Sequence, residues 1–158
     1  VNWMVHLYED AKSNMWIMTT EGVLLFNRET ESFERYDVMQ TDNSVANFVN
    51  TGGTIIESSS GDLYCLGLSF GLLKFDYKAK LFVQVPLKNN GNEKILRQRY
   101  YSIAADSDNN LWLGTNTGLW KTVLDNNEIY DVTPFKKSIA KRILVDNEEA
   151  GGGIVKYR

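Results

Sequence analysis

Side chains that could act as a catalytic base, a nucleophile or a metal ligand are scarce in this sequence. Its 158 residues include one histidine and one cysteine, His6 and Cys65. Cys65 lies in an apolar run, which favours a buried thiol, and one cysteine forms neither an internal disulfide nor a cysteine-based zinc site. The stretch DSDNN at 106–110 is spaced like part of a calcium loop but lacks the glycine and terminal glutamate. We therefore expect no metal ion and no cofactor.

Paired carboxylates of the kind that glycosidases use are also missing. Glu148 and Glu149 are adjacent, and adjacent residues of an extended segment point to opposite faces. The sequence contains no G-x-S-x-G, P-loop or G-x-G-x-x-G motif. We therefore predict no catalytic residues and no enzymatic activity of the chain itself.

Composition narrows the class of partner. The sequence has 17 Lys and Arg against 20 Asp and Glu, a net charge of −3, which disfavours nucleic acid. The apolar and charged fractions of 43% and 23% are typical of a folded globular chain. No apolar run approaches the roughly 18 residues of a membrane span. Any membrane attachment is expected through other parts of a parent protein.

A repeat of about 48 residues organises the chain. Trp16, Tyr64 and Trp112 are separated by 48 residues each. The same spacing relates three further sets of positions: Leu7, Ile55 and Ile103; Asp10, Ser58 and Asp106; Asn14, Asp62 and Asn110. A glycine follows each aromatic residue, at Gly22, Gly71 and Gly118. His6 is in register with Thr54 and Ser102, which favours a hydrogen-bonded structural histidine over a catalytic base.

The segments within each copy predict β-strands. In the first copy they span 5–10, 15–19, 23–28 and 33–38, are rich in β-branched and aromatic residues, and are separated by turn residues. The glycine before the third segment suits a turn with positive φ. The aspartate after the first segment suits a turn capped by its side chain. Long polar linkers follow, at 39–52, 86–99 and 131–140.

Four short antiparallel strands in every 40–50 residues are typical of β-propeller blades. We predict an all-β fold in a single propeller fragment, with blades at about 5–38, 53–85 and 101–132 and a partial blade at 140–158. In that partial blade 142–149 supplies the first strand and 151–158 resembles a third strand. The alternative is a repeated β-solenoid, although solenoid rungs are usually much shorter than this repeat.

The third copy is similar to the two-component regulator propeller repeat, whose pattern is I-x-x-D-x-x-G-x-[IL]-W-[IL]-G-T-x-x-G-[IL]-x-x-[FY]. The matching positions are Ile103, Asp106, Leu111, Trp112, Leu113, Gly114, Thr115, Gly118 and Leu119. The first copy has Met18 in place of a glycine, and the second has Ser58 and Tyr64 in place of the aspartate and tryptophan. The resemblance covers about residues 5–132.

This resemblance implies a role in sensing. Such repeats form the extracytoplasmic, periplasmic sensor of bacterial histidine kinases, including hybrid two-component systems, and many of these sensors respond to oligosaccharides released from complex glycans. Because propellers need about 4–8 blades, we expect a fragment of a larger sensor. An open blade edge would invite self-association. A protein-interaction scaffold is the alternative, and a propeller lyase or glycosidase is less favoured.

The candidate ligand-binding residues lie in loops at one end of the blades, at positions where the residue type differs between the copies. If the first strand is innermost, the turns after the second strand and the linkers between blades share one end. The candidates are Glu21, Phe70 and Asn116 in the turns, Arg97, Arg99 and Tyr100 at the end of the second linker, and Trp120 in the third segment of its copy. Trp3 and Trp120 could stack on a sugar, although packing is favoured for both. Trp16 and Trp112 recur in register and are expected to pack between blades.

Overall fold

The computed structural model describes residues 4–46, 54–67, 70–88, 99–125, 127–132, 143–145 and 155–157. All regular secondary structure in these segments is β-strand. The strands form three sheets of at least four strands each, followed by a two-stranded hairpin. No helix in the described segments is long and apolar enough to cross a membrane.

The first and third sheets are four-stranded antiparallel meanders. The first contains β1 (Met4–Glu9), β2 (Met15–Thr19), β3 (Gly22–Asn27) and β4 (Ser32–Tyr36). The second contains β5 (Val38–Met39), β6 (Val45–Ala46), β7 (Ile55–Glu57), β8 (Leu63–Gly67), β9 (Gly71–Asp76) and β10 (Leu81–Gln84). The third contains β11 (Tyr100–Ala105), β12 (Asn110–Thr115), β13 (Gly118–Val123) and β14 (Glu128–Asp131). Strands β7–β10 repeat the same meander, which confirms the predicted blades of four antiparallel strands.

The second sheet gains two strands from the linker that follows the first. The predicted fourth segment, 33–38, is too long, because β4 ends at Tyr36. Val38 instead begins β5, which pairs in parallel with β10 through Val38 opposite Phe82 and Met39 opposite Val83. The pairing covers the outer edge of β10 and buries Val38 completely. The predicted linker 39–52 therefore contains part of a β-hairpin, β5–β6.

The linker after the second blade also pairs with the outermost strand of the next sheet. Leu87 is buried, and Lys88 forms a parallel bridge with Glu128 at the outer edge of the third sheet. Lys88 N donates to Asn127 O (2.8 Å), and Ile129 N donates to Lys88 O (3.0 Å). We call residues 38–39 and 87–88 the strap segments. Each one fastens the chain leaving one blade to the outermost strand of the next.

The last two strands correct the prediction for the partial blade. Strand β15 (Ile143–Val145) pairs antiparallel with β16 (Val155–Tyr157), with Ile143 opposite Tyr157. The prediction that 151–158 supplies a third strand is wrong, because β16 occupies the place that a second strand takes in the other blades. The connection between the two strands is too short for two turns and an intervening strand.

Two turns in each blade require a left-handed backbone. The glycines before the third strands have φ values of 150°, 71° and 138° at Gly22, Gly71 and Gly118, as predicted. The turns between the first and second strands have a second such position, with φ of 61°, 82° and 61° at Ser13, Gly61 and Asn109. These three residues are 48 apart but differ in type, which is why residue identity alone did not reveal the position.

Apolar side chains fill the spaces between consecutive sheets. Between the first and second sheets the core includes Trp16, Met18, Val23, Tyr36, Ile55, Leu63, Cys65, Leu73, Phe75 and Phe82. Between the second and third sheets it includes Tyr64, Leu66, Leu72, Tyr100, Ile103, Leu111, Leu113, Trp120 and Ile129. The middle sheet is therefore covered on both faces, and the first and third sheets each pack one face against it.

Candidate functional site

The turns after β2, β8 and β12 lie at the same end of the sheets as the segments that enter β7 and β11. Leu66 N, near the end of β8, donates to Thr54 O just before β7 (3.2 Å). Asn116 N, in the turn after β12, donates to Arg99 O just before β11 (3.1 Å). We call this the linker end. The ligand contacts predicted from the sequence were expected at this end of the blades.

A threonine braces the turn at the linker end of the first and third blades. Thr19 Oγ1 donates to Gly22 O (3.0 Å) and accepts from Glu21 N (3.1 Å). Thr115 Oγ1 forms the same two bonds, to Gly118 O (3.0 Å) and from Thr117 N (3.1 Å). Glu21 is exposed on this fixed turn, so its carboxylate is presented to solvent by a well-defined backbone.

Arg99 and Asn116 are brought together by reciprocal hydrogen bonds. Arg99 N donates to Asn116 Oδ1 (3.0 Å), in addition to the bond that Asn116 N donates to Arg99 O (3.1 Å). Both residues are exposed. The pair places a guanidinium group next to a turn whose conformation is held by the linker, which is a suitable arrangement for polar recognition.

Phe70 occupies the corresponding turn of the second blade but faces inward. A Cβ atom on Gly67 would lie 3.3 Å from Phe70 Cβ, so the ring folds closely over a glycine. Phe70 also packs against the core between the first two sheets, and its carbonyl accepts from Gln84 Nε2 (2.8 Å). The ring is half-buried, and only part of it could meet a ligand.

Tyr100 and Trp120 are core residues in this structure. Their exposed fractions are 4% and 5%, and both belong to the core between the second and third sheets. Burial raises the pKa of Tyr100 to about 12. Trp120 Nε1 donates to Thr117 Oγ1 (3.3 Å). Packing accounts for both side chains and leaves little of either available for contact with a ligand, while Arg97 and Trp3 lie outside the described residues.

The opposite end of the first and third blades carries an unpredicted link between an aspartate and a tryptophan. Asp10 accepts hydrogen bonds from Lys12 N, Asn14 N, Asn14 Nδ2 and Trp16 Nε1, each at 2.9 Å. Asp106 accepts from Asp108 N (3.1 Å), Asn110 N (2.9 Å), Asn110 Nδ2 and Trp112 Nε1 (2.8 Å). The predicted capped turn is therefore confirmed, and the same carboxylate also fixes the blade tryptophan.

These donors keep both carboxylates ionised. Burial raises the pKa of Asp106. Hydrogen bonds from Trp112 and Asn110 lower it by more, so the net pKa lies below its ordinary value. Asp10 shows the same balance with Trp16 and Asn14. The oxygen atoms of Asp106 thus accept hydrogen bonds from N–H donors of its own turn and of Trp112. In the described part of the chain no three His, Cys, Asp or Glu side chains gather as a metal site would need.

The second blade replaces both members of this link together. Ser58 stands in place of the aspartate and Tyr64 in place of the tryptophan. Ser58 Oγ still accepts from Asp62 N (3.3 Å), so the turn keeps a cap, but a tyrosine has no indole N–H to be satisfied. The signal available in the sequence was this paired replacement at positions six residues apart.

His6 and Cys65 occupy structural positions. His6 is half-buried and hydrogen-bonds the backbone of Ile55 in the next sheet; burial lowers its pKa and this bond only partly opposes the shift. Cys65 is fully buried in the first core, and burial raises the pKa of its thiol well above the ordinary value. His6 thus links the first sheet to the second, and Cys65 is part of the core between them.

Part of the third blade matches a known family of repeats. Residues 95–117, which include β12 and its tryptophan, match the family model described as two component regulator propeller. This segment of the chain is similar to a two-component regulator propeller repeat. No curated protein sequence matches the chain significantly.

Solved structures share the fold over nearly the whole chain. Two structures of the extracellular domain of BT4673 from B. thetaiotaomicron, described in one as a one component system and in the other as a hybrid two component system, superpose with TM-scores of 0.71 and 0.72 at 18% identity. Each covers 98% of this chain, while the chain spans only 22% of that protein's structure. Virginiamycin B lyase from Staphylococcus aureus has a TM-score of 0.50 at 12% identity, over 92% of this chain and 60% of the lyase. At these identities the likeness establishes the fold alone.

Proposed function

We propose that this chain is a ligand-recognition segment of the extracytoplasmic sensor of a bacterial two-component regulatory system. The observation that carries the proposal is the propeller repeat at 95–117, in a chain whose fold follows the extracellular domain of BT4673 over 98% of its length. The ligand is an oligosaccharide derived from a complex glycan, and its binding biases a histidine kinase elsewhere in the parent protein. The sensor then lies in the periplasm.

The linker end supplies the ligand contacts in this proposal. Glu21, Arg99 and Asn116 are exposed there, on turns whose backbones are held by hydrogen bonds. A fixed backbone lowers the entropy lost when a ligand binds, and carboxylate, guanidinium and amide groups can all bond sugar hydroxyls. Arg97, at the end of the second linker, is included in the proposed set from its sequence position alone.

The test uses the full protein that carries this chain, reconstituted with its membrane portion. Oligosaccharide fractions from several plant and host glycans are added, and phosphorylation of the kinase is measured. We expect one fraction to change phosphorylation severalfold, and Arg99→Ala to weaken that response while Lys12→Ala, at the opposite end, leaves it intact. A parent protein without a transmembrane segment and kinase module would overturn the proposal.

Self-association or protein binding is a second candidate function, favoured by one surface. Leu7 and Phe33 are 53% and 58% exposed on the face of the first sheet that points away from the second. Their equivalents in the second sheet, Ile55 and Phe82, are both 0% exposed because the first sheet covers them. The exposed face is therefore suited to receive another blade, from the same or another molecule.

A further inference from the structure

A groove of about 570 Å³ opens between the second and third sheets, along the outer side of their interface. Its walls come from β8–β10, from the segment between β10 and the second strap, and from the turn between β13 and β14. The residues that line it and matter here are Asp62, Tyr64, Lys74, Val85, Leu124 and Asn127. The turns that contribute Asp62 and Asn127 lie at the end of the blades opposite the linker end. The groove is thus separate from the contacts proposed above.

The groove is present because the second interface has smaller side chains at the positions that bulky aromatic side chains occupy in the first interface. Between the first and second sheets, the Trp16 ring packs against Tyr36, Phe75 and Phe82 with ring centroids 5.6, 4.9 and 6.1 Å away. The strand registers align these four residues with Tyr64, Val85, Thr122 and Ile129 in the second interface. A single aromatic residue therefore remains where four pack in the first interface.

A charged group replaces an apolar one at the same place. Leu25 lies opposite Trp16 in the first sheet, and Lys74 lies opposite Tyr64 in the second. Lys74 Nζ is 2.9 Å from Asp62 Oδ2 and 5.7 Å from the centroid of the Tyr64 ring. The Lys74 and Asp62 side chains remain 42% and 39% exposed, so solvent reaches this polar floor. Thr122 Oγ1, in the place of the Phe75 ring, is fully buried with no hydrogen-bond partner among the described residues.

The chemistry of the groove selects a neutral ligand with two different faces. Two lysines and two aspartates line it, Lys74, Lys78, Asp62 and Asp76, so its charges balance and an ionised ligand gains little net attraction. Val83, Val85, Pro86 and Leu124 provide an apolar wall, while Lys74, Asp62 and Asn127 provide donors and acceptors. The volume lies within the roughly 300–1,000 Å³ of small-molecule sites. A sugar ring presents C–H groups on one face and hydroxyl groups at its edge, which matches both sets of residues.

We propose that this groove is a second saccharide-binding site, which takes a neutral mono- or disaccharide unit. The apolar wall covers the C–H face of the ring, and Lys74 and Asp62 bond its hydroxyls. This proposal depends on the proposed function only for the class of ligand, which is a saccharide in both. Its position on the side of the blades allows it to hold a sugar while the linker end is occupied.

The experiment titrates the full protein that carries this chain with maltose, cellobiose and lactose, and with a charged digalacturonate, by calorimetry. Two variants alter the groove: Lys74→Leu copies the residue at position 25, and Val85→Tyr copies the residue at position 36. Lys121→Leu is the matched control, because Lys121 lies opposite Trp112 as Lys74 lies opposite Tyr64 but does not line the groove. The unfolding temperature of each variant shows that it is folded, and Lys74→Leu changes a partly exposed side chain, so it remains informative if Val85→Tyr fails to fold.

We expect at least one neutral disaccharide to bind and digalacturonate to bind more weakly. Lys74→Leu should weaken the affinity about tenfold or more, as the loss of a charged hydrogen-bonding group does, and Val85→Tyr should abolish binding by filling the groove. Lys121→Leu should leave this binding unchanged. Native affinity in both groove variants, loss of binding in Lys121→Leu, or no binding of any neutral disaccharide would each overturn the groove proposal. The kinase response to oligosaccharide fractions tests the proposed function separately.

Discussion

At the scale of single residues, the carboxylates of Asp10 and Asp106 do most to define the blades. Each accepts bonds from its own turn and from the indole of a tryptophan on the following strand. Trp16 is 1% exposed and its indole N–H would be costly to leave unsatisfied in the core. One carboxylate therefore determines the turn and the orientation of the largest core side chain together.

Removing one of these carboxylates should destabilise the fold. We expect Asp10→Ala to lower the free energy of unfolding by about 1–3 kcal/mol, because buried donors lose their acceptor. Asp42→Ala is the matched control, since Asp42 also accepts from backbone and hydroxyl donors but in an exposed loop. Urea unfolding followed by tryptophan fluorescence measures both. Equal losses in the two variants would contradict the special role of the indole bond.

The same carboxylates predict how stability depends on pH. Their pKa values in the folded state lie below the ordinary carboxyl value of 3.8. A group with a lowered pKa stabilises the folded state fully above its unfolded pKa and loses that contribution as pH falls through the folded pKa. Stability should therefore fall as pH drops below about 4. In Asp10→Ala the free energy of unfolding should fall less between pH 5 and pH 3 than in the native chain. If both fell equally, the pH dependence would come from other groups.

The thiol of Cys65 should be unreactive until the chain unfolds. It is fully buried, and burial raises its pKa, so almost no thiolate forms near neutral pH. We expect negligible labelling by a maleimide at pH 7 in buffer and complete labelling in urea. Rapid labelling of the folded chain would show that the first core opens readily.

At the scale of strands and turns, the strap segments distinguish this chain from a simple row of meanders. The pairing of β5 with β10 is parallel, whereas the other strand pairs in the described sheets are antiparallel. It buries Val38 in the core and caps an edge strand that would otherwise be open. The linkers thus contribute to the packing between blades as well as connecting them.

Shortening a side chain of the strap should weaken the interface between the first two blades. We expect Val38→Ala to cost about 2 kcal/mol, from lost burial and the cavity left behind. Val45→Ala, in the same hairpin, should have almost no effect because Val45 is 59% exposed. Thermal unfolding compares them. If Val38→Ala proved as stable as the native chain, β5 would not contribute to the interface.

The limits of the sequence also become clear at this scale. Spacing and residue type predict the repeated meander, the glycine turns and the capped aspartate turns, because each depends on local chemistry. The straps were missed because Val38 continues the alternation of β4, and only long-range pairing moves it to the next sheet. The burial of Tyr100 was missed for a related reason: the neighbouring blade that covers it is distant in sequence. Glu21, Arg99 and Asn116 were placed at the surface by their turns, which sequence does indicate.

At the scale of the whole molecule, the three sheets stack with cores on both sides of the middle one. The first sheet has an apolar outer face with Leu7 and Phe33 exposed, and no sheet in the described residues covers it. Propellers close with about 4–8 blades, so a complete assembly requires more blades than those described. The chain is therefore a portion of a propeller in architecture, and it spans 22% of the BT4673 structure.

The uncovered face should make the isolated chain associate. We expect light scattering to show dimers or larger species at tens of micromolar, with the monomer favoured when Leu7→Ser and Phe33→Ser are combined. Tyr101→Ser is the matched control, because Tyr101 is exposed in the third sheet instead. A native chain that remained monomeric at all concentrations would count against self-association through this face.

The straps carry a consequence for how such a gene can be rearranged. Because residues 38–39 pair with β10 of the second sheet, a cut within the linker at 40–52 would separate the strap from its partner strand. A recombination event that exchanged the second sheet between sensors would keep this pairing only if its breakpoint fell between β4 and the strap, so that the donor segment carried its own strap. Chimeric sensors should therefore be joined directly after the fourth strand of a blade rather than within the linker that follows it.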